Sequence, residues 1–183
     1  MLSRFTRFVR RLRADISGLS AIEFALICPV MLTSLLGAVE VSNGMLADRK
    51  VTQVTSTIAD LTSQDTDIST TEMRDIWAAG ASIMYPMGAA PLKMRISSVV
   101  ADLNGVTRVE WSCATNISAR GAGSAVTVPS GMVQPGSSVI FAEVEYLYTS
   151  TIGSFLRDGV VVRDKFYLRP RRVLKVTRNE PCP

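Results

Sequence analysis

The most apolar part of the chain is a run near its N-terminus. Leu19–Val39 is interrupted only by Glu23, and Phe24–Val39 contains no charged residue. At about 1.5 Å per residue, a helix of this length crosses a hydrocarbon core of about 30 Å. The pattern predicts a single transmembrane helix that spans about residues 21–41. A secretory signal peptide is the competing interpretation, and only a weak small-x-small cleavage site at Leu36–Ala38 favours it.

Beyond the predicted span, the apolar residues have the spacing of an amphipathic helix. They recur every three or four positions among polar residues, at Val51, Val54, Ile58 and Leu61. One long helix is therefore predicted over residues 19–64, loosened at Pro29 because proline has no backbone N–H. The apolar stripe packs either against the chain's own domain or against partner helices, and the first arrangement is favoured.

The remaining residues predict a second helix and then a sheet. Ser69 and Glu72 have capping-box spacing, and an apolar stripe follows them until Pro86. Alternating patterns then predict strands, with a tight turn at Asn104–Gly105 and a turn-rich surface loop over residues 119–138. The predicted strands begin at Leu92 and cover residues 92–97, 106–111, 139–148, 160–168 and 173–176. The predicted fold class is α+β, with a four- to five-stranded antiparallel sheet.

The distribution of positive charge predicts the membrane topology. Arginines at positions 4, 7, 10, 11 and 13 precede the span, whereas only Arg49 and Lys50 follow it closely. Such a bias keeps the N-terminus in the cytoplasm and exports the C-terminal part. The predicted parts are a basic cytoplasmic leader (1–18), the transmembrane and amphipathic helix (19–64) and an extracytoplasmic α+β domain (65–183). The expected location is the bacterial inner membrane, with the domain in the periplasm.

Composition excludes several functional classes. The formal net charge of +4 comes from residues 1–18, and the 15 basic and 15 acidic residues of the rest of the chain cancel. No general basic surface for nucleic acid is therefore expected. Because the chain has no histidine, Ser-His-Asp and Cys-His catalytic sites and histidine-ligated metals are excluded. We expect no enzyme activity, no cofactor and no metal.

Two other charge patterns leave alternatives open. Glu143 and Glu145 lie on the same face of a predicted strand, as a catalytic carboxylate pair would, but cross-strand partners such as Arg163 and Lys165 are the favoured explanation. Acidic residues prevail over residues 51–156 and basic residues over residues 157–183. This segregation indicates either ion pairs within the chain or head-to-tail recognition between subunits.

The three cysteines fall into two environments. Cys28 lies in the predicted span, where it serves as a small apolar residue. Cys113 and Cys182 lie in the predicted exported domain, and an oxidising compartment permits a disulfide between them. A free or intersubunit Cys182 is the alternative.

The start of the apolar run resembles a type IV prepilin leader. Gly18 closes the basic segment, and Glu23 is the fifth residue after it. In prepilins, a membrane aspartyl peptidase cuts after this glycine, and the glutamate pairs with the new N-terminal amine of a neighbouring subunit. The resemblance implies cleavage between Gly18 and Leu19. The alternative interpretation is that Glu23 lies at the headgroup level and has no partner.

A longer stretch resembles the TadE/TadG-like family of the tight adherence (Flp pilus) system. The similar segments are GLSAIEFALICP from Gly18 to Pro29 and LLGAVE ending at Glu40, with weaker similarity at residues 97–100, 109–112 and 167–172. The resemblance implies a pilin-like minor subunit, of TadE or TadF type by its length. It also implies roles in subunit assembly for Glu23, Phe24, Pro29 and Glu40.

The implied partners are a prepilin peptidase, other Tad pilins or pseudopilins, and inner-membrane platform proteins. The alternative function is an uncleaved single-span scaffold protein with a periplasmic interaction domain.

Overall fold

The computed structural model describes residues 9–11, 18–102, 105–129, 131–150 and 159–183. The chain divides into two compact units, residues 1–42 and 43–183. The elements in chain order are α1 (Leu19–Gln64), α2 (Thr70–Ile83), β1 (Leu92–Ala101), β2 (Thr107–Thr115), β3 (Ser138–Tyr148) and β4 (Val160–Leu168). The α+β prediction, with one long N-terminal helix, a further helix and an antiparallel sheet, is confirmed. Most of the predicted leader lies outside the described residues.

The four strands form one antiparallel sheet in the order β2-β1-β3-β4. The predicted hairpin is present, since β1 and β2 are paired up to the turn, where Ala101 lies opposite Thr107. Gly105 has a φ of 80° in this turn, a conformation that favours glycine, while Asn104 lies outside the described residues. β3 then returns to pair with the other edge of β1, so β1 and β3 are the two central strands.

The predicted strand at residues 173–176 is wrong. Residues 173–175 form bends, Val176 has no regular structure, and Thr177 makes an isolated bridge to Asp67. Val176 is nevertheless buried, and its carbonyl accepts a hydrogen bond of 2.9 Å from the indole of Trp111 on β2. The apolar pattern therefore marked a buried segment correctly, but that segment packs against the core without joining the sheet.

The main core of residues 43–183 lies between the two helices and one face of the sheet. Val51, Val54 and Ile58 of α1 are fully buried there, which confirms that the stripe packs on the chain's own domain. α2 begins at the predicted capping box, in which Ser69 and Glu72 bond each other's backbone N–H. Gly80 allows α2 to approach closely, because a Cβ at that position would lie 2.7 Å from the sulfur of Met94 and 3.2 Å from Ile58.

The C-terminal segment, residues 176–183, is held against both the sheet and the start of α2. Cys182 forms a disulfide with Cys113 on β2, across a Cα–Cα distance of 5.5 Å. The Glu180 carboxylate accepts a 2.5 Å hydrogen bond from the backbone N–H of Thr70, and this bond lowers the pKa of Glu180. Arg178 donates to the carbonyls of Ile68 and Ser69. We call residues 176–182 the C-terminal strap.

Lys50 links α1 to the end of α2. Its ammonium group donates hydrogen bonds of 2.7 Å to the carbonyls of Ile83 and Tyr85. These carbonyls have no partner within α2, and a cation is favourable beside them because of the helix dipole.

The substitution Lys50→Met is expected to lower the free energy of unfolding by about 1–2 kcal/mol, because it removes a charged donor from two carbonyls. Arg49→Met is the matched control. Arg49 is exposed, and no hydrogen bond or ion pair joins it to another described residue, so a change within about 0.5 kcal/mol is expected. Urea unfolding of the full chain in mild detergent measures both variants. Equal losses in the two variants would contradict the capping role.

Candidate functional site

The candidate site residues of the N-terminal segment all lie on or directly before α1. The first backbone hydrogen bond joins the N–H of Ile22 to the carbonyl of Gly18, at 3.1 Å. Leu19 therefore begins the helix, and Glu23 follows one turn later on the same side. The structure thus brings the predicted cleavage site and the predicted assembly carboxylate within a single helical turn.

The side chains of the apolar half of α1 are exposed. Every residue from 18 to 39 is exposed except Cys28, which is partly exposed. The large side chains include Phe24, which is 68% exposed. A continuous apolar surface of this kind is unfavourable in water and marks a contact with lipid or with another protein. The helix is long and apolar enough to cross a membrane, and it is the one candidate span among the described residues.

Gly18 is not required by packing. A Cβ placed on it would meet no atom within 4 Å among the described residues, and it does not adopt a positive φ. Packing among the described residues therefore does not explain a glycine at this position. Gly37, further along the same helix, is equally open.

Glu23 is exposed among apolar side chains. Within the described residues it makes no hydrogen bond and no ion pair. A carboxylate inside a hydrocarbon layer costs about 2.5–3.5 kcal/mol on insertion scales, and that cost is reduced by a cationic partner or by a position near the interface. A cationic partner for Glu23 would therefore come from outside the described part of the chain, and a position near the interface is the alternative.

The two other assembly residues occupy different parts of the helix. Pro29 lies inside α1, and the hydroxyl of Thr33 donates a 3.0 Å hydrogen bond to its carbonyl. The helix continues through the proline, and its predicted loosening stays a prediction. Glu40 is partly buried, near the end of the apolar segment.

The acidic pair on the sheet has basic partners. Glu145 forms a 2.9 Å ion pair with Arg163, as predicted. Glu143 is bound by Arg95 and Arg120, each at 2.7 Å. Lys165 lies directly opposite Glu143 on β4, as predicted for a cross-strand neighbour. The described ion pairs of this carboxylate are nevertheless with the two arginines, and Arg120 reaches it from the loop after β2.

The charge segregation of the sequence is explained within the chain. Several basic residues after position 157 form ion pairs with acidic residues before it. These pairs are Arg163 with Glu145, Arg171 with Asp60, and Lys175 with Glu110. The sequence reasoning missed the partners of Lys50 and Glu180, both of which contact the ends of α2. The signal available in the sequence was the charge type of each residue. A cation is favoured near a helix C-terminus, and an anion is favoured near a helix N-terminus.

Comparison with known families identifies the N-terminal segment. Residues 18–60 match the family described as TadE-like protein, which is 43 of the 183 residues. The match confirms the resemblance to the TadE/TadG-like family over this segment and begins at Gly18 itself. The weaker similarities at residues 97–100, 109–112 and 167–172 lie outside it.

No curated protein and no solved structure matches the chain. The TadE-like segment supports a pilin-like protein associated with the Tad pilus. The described residues contain one candidate membrane span.

Proposed function

We propose that this chain is a pseudopilin of a Tad/Flp pilus assembly and secretion machine, processed by a prepilin peptidase after Gly18. It supports pilus biogenesis and surface adhesion through contacts with other Tad pilins or pseudopilins and with inner-membrane platform proteins. The observation that carries the proposal is the TadE-like match, which starts at Gly18 and continues through the apolar helix to Asp60. No catalytic step belongs to the proposed role.

The surroundings of Gly18 support processing at this position. Among the described residues, no atom would contact a Cβ added to Gly18, so packing in that part of the chain does not select glycine there. A protease that binds an extended chain in a narrow cleft does select it, because glycine brings no side chain into the cleft. Cleavage would make Leu19 the first residue and create an α-amino group there.

The same cleavage would supply a partner for Glu23. The carboxylate lacks an ion pair among the described residues and lies in an apolar segment. The α-amino group of Leu19 on a neighbouring subunit would neutralise it and remove most of its cost in the membrane. Phe24, Pro29 and Glu40 complete the proposed assembly segment.

The proposed topology places the N-terminus in the cytoplasm and residues 65–183 in the periplasm. Five arginines before the span and only two cations close after it favour this orientation. The disulfide between Cys113 and Cys182 supports it, because such bonds persist in oxidising compartments.

Gly18→Ala is expected to abolish removal of residues 1–18, because the methyl group blocks entry of the chain into the peptidase cleft. N-terminal sequencing and intact mass of the protein from membranes measure the result. In the unchanged chain, Leu19 should be the first residue in cells with the peptidase, and Met1 in cells without it.

Gly37→Ala is the matched control, since Gly37 is equally free of contacts but lies away from the cleavage site. It should be processed as the unchanged chain is. Normal processing of Gly18→Ala would remove the main support for the proposal. An intact Met1 in both strains would leave the single-span scaffold as the function.

A further inference from the structure

β4 forms an open edge of the sheet. In the order β2-β1-β3-β4 it pairs only with β3, and no backbone hydrogen bond joins it to any other described segment. The other edge strand is better covered, because backbone hydrogen bonds join Thr107 and Val109 of β2 to residues 123–126 of the loop that follows. Within the described part of the chain, β4 is therefore the less protected edge.

The hydrogen bonds of the sheet show which residues of β4 face outward. The backbone N–H of Ala101 on β1 donates to the carbonyl of Ser137, directly before β3. Alternate residues of an antiparallel strand bond to opposite neighbours, so in the observed register the odd-numbered residues of β3 bond to β1 and its even-numbered residues to β4. On β4, the backbone groups of Arg163, Lys165 and Tyr167 therefore point away from the sheet.

Asp164 covers one of these groups. Its carboxylate accepts a 2.8 Å hydrogen bond from the backbone N–H of Lys165, where the carbonyl of an added strand would otherwise bind. The side chain of Asp164 can rotate away from this position. The N–H groups of Arg163 and Tyr167 have no such cap among the described residues.

A groove lies on the helix side of this edge. It has a volume of about 390 Å³, between Phe166 and Leu168 of β4 and residues 56–61 of α1. Phe166 is 38% exposed, so α1 does not cover the edge completely. Every second side chain of an added strand would point toward this groove, and the ring of Phe166 favours apolar side chains there. The charged groups that line it, Asp60 and Arg171, already form an ion pair.

The other side of the edge is cationic. Lys165 is exposed and forms no ion pair with a described residue, while Arg163 and Lys93 share the carboxylate of Glu145. The described charges of this surface are five cations and three carboxylates, namely Lys93, Arg95, Arg120, Arg163 and Lys165 with Glu143, Glu145 and Asp164. Side chains of an added strand on this side are therefore favoured to be acidic.

We propose that residues 163–168 of β4 bind an extended segment of another protein, in which acidic and apolar residues alternate, as a fifth strand of the sheet. The acidic side chains lie opposite Arg163 and Lys165, and the apolar ones enter the groove beside Phe166. In complexes of this kind, main-chain hydrogen bonds provide affinity and sites for alternate side chains provide specificity. The proposed site leaves out the start of β4, which adjoins residues 151–158 outside the described part of the chain.

A second copy of β4 is a poorer occupant. Antiparallel pairing of two β4 strands about Asp164 would place Arg163 opposite Lys165 of the other copy and Asp164 opposite its own counterpart. Like charges directly opposite each other are destabilising. The charges of β4 therefore oppose pairing with itself and favour an acidic partner. This inference goes beyond the proposed function and does not depend on cleavage after Gly18.

The test measures binding of labelled peptides to the full chain in mild detergent by fluorescence anisotropy. The probe is Pro-Glu-Val-Glu-Val-Glu-Val-Pro, and its two controls carry lysine in place of glutamate or N-methyl groups on alternate amides. The proposal expects the acidic probe to bind at least about tenfold more tightly than either control. Hydrogen exchange at the amides of Arg163 and Tyr167 should slow in the complex, whereas that of Phe166, whose N–H faces β3, should not change.

Lys165→Glu is expected to weaken binding of the acidic probe by about tenfold. Arg74→Glu is the matched control, because it changes the net charge equally and Arg74 is exposed on α2 without an ion pair to a described residue. It should leave binding unchanged. Asp164→Ala should bind the probe more tightly than the unchanged chain, since it frees the N–H of Lys165.

Two results would overturn the proposal. Equal binding of the three peptides, or equal losses in Lys165→Glu and Arg74→Glu, would show attraction by net charge without strand pairing. Dimerisation of the chain without peptide, strengthened by Lys165→Glu but not by Arg74→Glu, would make a second copy the occupant of this edge. Neither result bears on processing after Gly18.

Discussion

Cys182→Ser is expected to lower the free energy of unfolding by about 4 kcal/mol. The disulfide joins residues 69 positions apart, and the loss of a cross-link over a loop of this length restores that much conformational entropy to the unfolded chain. Urea unfolding of the full chain in mild detergent, followed with and without reductant, measures the effect. Reductant should lower the stability of the unchanged chain by a similar amount and leave the variant unaffected.

The effect should also be visible locally, because the disulfide is the covalent attachment of the C-terminal strap. Without it, the strap's hydrogen bonds are expected to open more often. Hydrogen exchange should accelerate at the amide of Thr70, which donates to Glu180, and at the amide of Ile68, which donates to Thr177. Exchange in the main core, at Val54 for example, should change only as much as global stability does.

Cys28→Ser is the control for the loss of a cysteine. Cys28 is a free thiol in the apolar part of α1, outside the unit that the disulfide cross-links. Its removal should leave both the unfolding midpoint and its response to reductant unchanged. A Cys182→Ser variant as stable as the unchanged chain would show that the strap is held by its polar contacts alone.

Glu143→Gln is expected to lower the free energy of unfolding by about 2–3 kcal/mol. The Glu143 carboxylate is 10% exposed and binds both Arg95 and Arg120. An amide of the same shape leaves two partly buried guanidinium groups without their counter-charge. Because Arg95 also donates to the carbonyl of Ser118, we expect the loop after β2 to loosen from the sheet.

Glu145→Gln is the matched control two residues along the same strand. Its carboxylate is 27% exposed, and its partners Arg163 and Lys93 are more exposed still. Exposed ion pairs contribute about 0–1 kcal/mol, so the control should lose less than 1 kcal/mol. Equal losses in the two variants would contradict the special role of the buried cluster.

The pH dependence gives an independent check. Burial alone would raise the pKa of Glu143, but the hydrogen bonds and charges of Arg95 and Arg120 outweigh burial and hold this pKa below its ordinary value of 4.5. The stabilisation by the carboxylate is therefore complete above pH 4.5 and is lost as the pH falls through the lowered pKa. The stability difference between the unchanged chain and Glu143→Gln should shrink in that acidic range and stay constant near neutral pH.

Much of the fold could be predicted because its signals are local. The apolar run after Gly18, the stripe from Val51 to Leu61 and the capping box at Ser69 each depend on residues a few positions apart. Helices and alternating strands leave such short-range patterns because their side chains repeat every 3.6 or 2 residues. Residues 173–176 were mistaken for a strand because a short buried segment has the same apolar composition.

The sequence by itself therefore determined the long apolar helix and the order of the two helices and four strands. The tertiary structure decided most of the long-range side-chain partners. The carboxylate of Glu143 binds Arg95, which lies 48 positions away in the sequence, and Arg120, which lies 23 positions away. Arg178 donates to the carbonyl of Ile68, which lies 110 positions away. The reason is physical, because a charge is attracted by every opposite charge, and the packing of helices, sheet and loops selects the one that comes within hydrogen-bond distance.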